Sequence, residues 1–176
     1  MRTQPSLVRR ARDVAQELLG GYPELLDHSA QAAEHAARAC SQLPQSRGPE
    51  VVAAAWLHDI GYRDTLVRTA FHPLDGALYL MDGTWPDRVV RLVAHHSLAC
   101  LEAPFYGVAH HLSVIEPVVG VDADVLISAD LAGATDRLTE IRERDEVLGL
   151  VPADVRESRY AGMLAADERV RTALSH

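Results

Sequence analysis

Apolar residues recur at three- and four-residue spacing through most of the chain, the pattern of helices that bury one face. Leu7, Val8, Ala11, Val14, Ala15, Leu18 and Leu19 make one such stripe, and it predicts a capped amphipathic helix opened by Pro5 and Ser6 and closed at Gly20 and Gly21. An Ala-rich helix is predicted from about Glu24 to Leu43, with Pro44 through Pro49 breaking it. Glu50 to Ile60 is almost continuously apolar, which predicts a helix buried on most sides and stopping at Gly61. Pro73 can open a helix through HPLDGALYLMDG, weakened by Gly76, and Trp85-Pro86-Asp87 can open another through Ser97. The segment RDTLVRTAFHP reads as irregular, and residues 98–120 as a long loop with one short helical piece. Helix is expected again from Asp122 to Val147, on Val125, Leu126, Ala129, Leu131, Ala132, Leu138 and Ile141, and from Pro152 to Leu174. No segment sustains the two-residue alternation of a half-buried strand. The pattern therefore predicts an all-α, single-domain helical bundle over residues 1–176, with no internal repeat or linker.

Composition narrows the function. The chain's 176 residues, 48% of them hydrophobic, suffice for one core. Its 25 acidic against 17 basic residues give a formal charge of −8, which argues against a nucleic acid polymer or an anionic membrane as partner. Every basic residue is Arg, so a Schiff-base lysine, a P-loop lysine and a lysine general base are all excluded. Cys40 and Cys100 stand far apart without a C-x-x-C partner, which suggests neither a disulfide framework nor a thiolate zinc site. With no signal-like apolar block and no apolar run near the roughly 18 residues of a membrane span, a cytoplasmic protein is expected.

The candidate chemistry lies in imidazoles and carboxylates spread over separate predicted helices: His28, the pair His58-Asp59, His72, the pair His95-His96, and Asp130. Helical bundles build interior metal sites from such side chains. An ionised Asp59 after the run VVAAAWL is costly to bury unless something positive neutralises it, and a divalent cation shared with His58 does so. Asp130 follows VLISA and raises the same question. His35, His110, His111 and His176 read as surface or hydrogen-bonded histidines, Trp56 and Tyr62 as packing residues, and RLTEIRERDEV as a solvated helix face.

In order and wording, LLDHS, AAAWLHDIGY and ISADLAG resemble the HD-domain superfamily of metal-dependent phosphohydrolases over about residues 24–140, with the terminal helices packing on that unit. FHPLDGALYL and LVAHHS further resemble its two-metal branch. The resemblance implies His28, His58, Asp59 and Asp130 as ligands of one metal, with Asp59 bridging to a second held by His72 and one of His95 or His96. Helical geometry favours His96, on a stripe with Val89 and Val93; the similar pair in HD-GYP phosphodiesterases favours His95. Many relatives carry Lys in an HD-x-G-K pattern where this chain has Tyr62, so a phosphate-positioning amine is missing.

The implied cofactors are one or two divalent ions, with Fe, Mn, Co and Zn all compatible with these donors. The expected reaction is hydrolysis of a small phosphorylated molecule, a nucleotide or a phosphomonoester or diester, by a hydroxide generated at the metal. Asp59 and His58 would hold the metals, and Arg63, Arg68 or Arg91 would offer a fork to the phosphate. Asp64 and Glu102 are added by their proximity to the motifs. Two rivals stay open: a di-iron oxygenase related to myo-inositol oxygenase, and a non-catalytic metal-binding or ligand-sensing domain. A homodimer is left open as well.

Overall fold

The computed structural model describes residues 6–132 and 149–175, and among these every regular element is helical. In chain order they are α1 (Leu7–Leu19), α2 (Pro23–Gln42), α3 (Gly48–Leu57), α4 (His72–Met81), α5 (Asp87–His95), α6 (Ala109–Ser113), α7 (Val121–Leu131) and α8 (Ala153–Leu174). Tight 3-10 turns cover Ile60–Tyr62, Asp64–Leu66 and His96–Leu101. The start signals are the expected ones. Ser6 caps α1 by accepting from the Arg9 amide, and prolines occupy the first turns of α2, α3 and α4, where a missing N–H costs nothing.

The centre of the bundle is the α2–α3 pair, onto which α1 and α7 pack, while α5 joins α3 to α4 and α8 lies along α7. Small side chains permit this. Ala32, Ala33, Ala36 and Ala39 of α2 and Ala53, Ala54 and Ala55 of α3 are buried in one core, which bulkier residues elsewhere, such as Phe71, Leu57 and Leu80, fill out. A buried polar clamp sets the start of α7. Asp122 accepts from Ser46 Oγ at 2.9 Å, the Arg47 amide at 3.1 Å and Arg88 Nε at 3.0 Å, which ties that helix to the α2–α3 loop and to α5. No helix among the described residues is long and apolar enough to cross a membrane.

Three expectations need correction. The buried helix ends at Leu57 rather than at Gly61, because the chain turns at His58-Asp59 into the 3-10 turn at Ile60. The helix expected through Ser97 ends at His95, since Ser97 and Leu98 take left-handed backbone. Between Leu98 and Gly120 the loop does carry a short helix, α6, but its first stretch is the 3-10 turn. The expectation of helix beyond α7, including Leu138, Ile141 and RLTEIRERDEV, falls on residues 133–148, outside the described residues, as does His176.

Candidate metal centre

Five places in the bundle deliver six side chains to one buried spot. His28 comes from the second turn of α2, His58 and Asp59 from the end of α3, His72 from the start of α4, His96 from the end of α5, and Asp130 from α7. His28, His58 and Asp130 form one group able to hold a metal ion, and Asp59, His72 and His96 form another. The two adjoin: the His28 and His58 rings, the His58 and His96 rings, and the His96 and His72 rings have centroids 5.1, 5.1 and 5.0 Å apart. Asp59 faces both groups. Its Oδ2 lies 3.5 Å from His58 Nε2, while its Oδ1 lies 3.7 Å from His72 Nε2 and 4.0 Å from His96 Nε2.

The backbone fixes which ring nitrogen is on offer. His58 Nδ1 donates to the Ala55 carbonyl at 2.8 Å and His96 Nδ1 to the Val93 carbonyl at 2.7 Å, so in both neutral rings Nε2 presents its lone pair to the cluster. His28 Nε2 sits 3.0 Å from Asp130 Oδ1. The informative atom is His58 Nε2, which is fully buried and makes no hydrogen bond, though it lies 3.4 Å from Asp130 Oδ1. A buried ring nitrogen set between two carboxylates calls for a positive partner, which a proton supplies in the metal-free cluster and a cation could supply in its place. The donor set of imidazole nitrogens and carboxylate oxygens fits a divalent transition metal.

Charge in the metal-free cluster is divided unevenly. Burial pushes the His58 imidazole down, but the charges of Asp59 and Asp130 beside it more than offset this and carry it up to about 9. Burial and the neighbouring His58 charge push His96 down to about 4. Burial would raise the Asp130 carboxyl, yet its contacts with His28 and His58 hold it well below the usual carboxylate range. These shifts predict how the metal-free protein responds to pH. Folded His58 keeps a proton that the unfolded chain loses near 6.5, so its contribution to stability is complete below about 6.5 and disappears as pH rises to about 9. His96 acts on the other side: the unfolded chain gains a proton there that the folded one refuses until about 4, so stability falls as pH drops from about 6.5. Burial also lowers His35 and His95, which adds to the acid-side loss. Thermal melts of chelator-treated protein should therefore peak near pH 6.5, and a melting temperature still rising between pH 7 and 9 would contradict this charge assignment.

The structure separates the paired histidines. His96 joins His72 and Asp59, whereas His95 Nε2 donates to the Ile115 carbonyl at 2.6 Å and is directed to the loop before α7. The expected phosphate-binding residues fare differently. Arg68 pairs at 2.7 Å with Asp82, which caps the end of α4 opposite His72, about 15 Å along a ten-residue helix. Arg91 is engaged by the Glu116 and Pro117 carbonyls and by Asp87 and Glu116. Buried Glu102 pairs with Arg159 of α8. Asp64 is exposed at the start of its own turn. Arg68, Arg91 and Glu102 thus each have an ion-pair partner within the fold. Arg63 alone of these is half-buried with no carboxylate partner among the described residues; its guanidinium sits 5.8 Å from the Tyr22 ring, at the α1–α2 corner.

Sequence reasoning missed three participants. Tyr62, at the lysine position of the resemblance, stacks on His72 with ring centroids 3.9 Å apart and planes 15° from parallel. Gly61 is not the terminator of α3: a Cβ there would lie 2.0 Å from the His72 carbonyl oxygen and 2.7 Å from the Gly76 amide nitrogen. It brings the turn after Asp59 into contact with the start of α4, and so brings Asp59 beside His72. Ser97 donates to Asp130 Oδ2. The glycine had a visible signal and the wrong explanation; the serine had none. No family model, curated protein or solved structure matches the chain.

Proposed function

We propose that this protein is a metal-dependent phosphohydrolase of the HD type, acting on a small phosphorylated molecule. The observation that carries the reading is the carboxylate of Asp59, with one oxygen toward each of two buried ligand groups and an unpaired His58 nitrogen beside it. His28, His58 and Asp130 would hold one ion, His72 and His96 the other, and Asp59 would be shared. Bound there, divalent ions supply Lewis acidity, which acidifies water and neutralises charge developing on a phosphoryl group.

The protein's own residues supply orientation and access. The Ala55 and Val93 carbonyls lock the two most buried imidazoles in one tautomer, so little reorganisation is needed when a ligand arrives. His72 is the most accessible of the six, with its side chain 20% exposed against 8% or less for the other five, so the cluster opens on the His72 side. Tyr62 stacks on that ring, and Arg63 follows one residue later with its charge unspent. Arg63 is therefore the group to meet the substrate phosphate, in place of the absent lysine.

Protein reconstituted separately with Mn2+, Co2+, Zn2+ and Fe2+ should hydrolyse aryl phosphate esters or nucleotides in at least one metal form. Arg63→Ala should raise KM at least about tenfold while leaving bound metal unchanged, consistent with the loss of a charge-assisted hydrogen bond. A fully loaded protein that hydrolyses none of these, or that turns over only with iron and O2, would contradict the proposal. Silence on every substrate is the outcome of a metal-stabilised or ligand-sensing domain, a reading favoured by Tyr62 standing in for the lysine.

A further inference from the structure

The end of α5 is built against its own backbone preferences. Ser97 (φ 52°, ψ 26°) and Leu98 (φ 57°, ψ 41°) are consecutive left-handed residues, a conformation that L side chains disfavour. Such a bend persists only when its surroundings hold it. The holding groups come from α8. Arg159 Nε donates to the Ser97 carbonyl at 3.0 Å, and the same guanidinium pairs with buried Glu102 just beyond the turn. One helical turn later, Gly162 leaves a notch for Leu98: a Cβ at that position would lie 2.5 Å from Leu98 Cδ1. Leu98 thereby joins a small apolar cluster with Ile127, Met163 and Ala166, between α7 and α8. The bend has one polar consequence inside the bundle. It aims Ser97 Oγ at Asp130 Oδ2, while Asp130 Oδ1 faces His28 and His58.

We infer that Ser97 is a positioning residue of the metal centre: its hydroxyl fixes the Asp130 carboxylate so that Oδ1 is presented to the ion, and Arg159 and Gly162 of α8 hold the bend that delivers it. The inference rests on the metal-binding part of the proposed function and is independent of the substrate. A carboxylate with one oxygen tied is oriented before the ion arrives, which saves ordering on binding. It also gives α8, which contributes no ligand, a part in the site.

The test is titration of the chelator-treated protein with Co2+ alone, following affinity and the visible absorption of the bound ion. Ser97→Ala removes the hydroxyl; Ser97→Gly removes it and also relieves the left-handed strain, so the metal-free fold should melt no lower than the wild type. Both should weaken Co2+ binding by about 10- to 100-fold and shift the absorption, the usual cost of losing a group that orients a ligand. Gly162→Ala should weaken binding as well by displacing Leu98, and Leu98→Ala in that background should restore it. Wild-type affinity and an unchanged spectrum in both Ser97 variants would overturn the positioning role while leaving the metal centre standing. A wild-type protein that takes up no Co2+ would overturn the metal centre and this inference with it.

Discussion

Asp59→Ala is expected to yield a folded protein that retains neither tightly bound metal nor measurable turnover. Asp59 is the residue common to both groups, with Oδ2 3.5 Å from His58 Nε2 and Oδ1 3.7 Å from His72 Nε2. Its loss removes a charge from two sites at once and leaves four imidazoles facing one carboxylate. Loss of a mere orienting partner costs about 10- to 100-fold in metal affinity, so loss of a shared ligand should exceed about 100-fold. The fold should survive better than the function. In the metal-free protein Asp59 is the leading charge that raises the His58 imidazole; without it Asp130 still faces that ring, so no buried cation is left wholly unpaired. Metal content by elemental analysis, alongside turnover and a melting curve, checks this. A variant with full activity or with two ions still bound would end the present account.

Gly61→Ala is expected to be the most destabilising single-methyl substitution in the site. The added Cβ would stand 2.0 Å from the His72 carbonyl oxygen and 2.7 Å from the Gly76 nitrogen, both backbone atoms that cannot rotate away. Either the turn at Ile60 or the start of α4 must move. Overpacking of this kind costs about 3 kcal/mol, which in a chain of this length lowers the melting temperature by roughly 10 °C. The displacement falls on His72, so the ion held by Asp59, His72 and His96 should be lost before the one held by His28, His58 and Asp130. Gly76→Ala is the milder control, because its Cβ would meet its nearest neighbours at 3.3 to 3.4 Å. Differential scanning calorimetry with metal stoichiometry would decide; a Gly61→Ala variant as stable as the wild type, holding two ions, would show that the close approach has no role.

The sequence made the helices legible because the bundle is simple where it matters. Apolar periodicity placed α1, α2 and α7, and proline placed the starts of α3, α4 and α5 within a few residues. The residue pattern pointed to His58-Asp59 and Asp130, because buried carboxylates among Ala and Val have few physical excuses, and the resemblance implied the rest of the set with His95 and His96 both open. What periodicity does not encode is where a helix stops for tertiary reasons. The stripe through Val89 and Val93 continues to His96, and no glycine or proline marks the break at Ser97; the reason for it lies in Arg159 and Gly162, more than sixty residues away. The partners of the arginines were hidden for a similar reason. Nearness to a motif in sequence did not foretell that Asp82 would claim Arg68 or that loop carbonyls would claim Arg91. Nor did it foretell that the Ile115 carbonyl would draw His95 away from the cluster that His96 joins.

Anomalous scattering from crystals of the protein supplied with divalent transition metal would show whether these six side chains form a centre for cations. Two peaks are expected, one within reach of His28, His58 and Asp130 and the other of His72 and His96, about 3.5 to 4 Å apart with Asp59 between them. A map with no peak in the cluster at saturating metal would contradict such a centre.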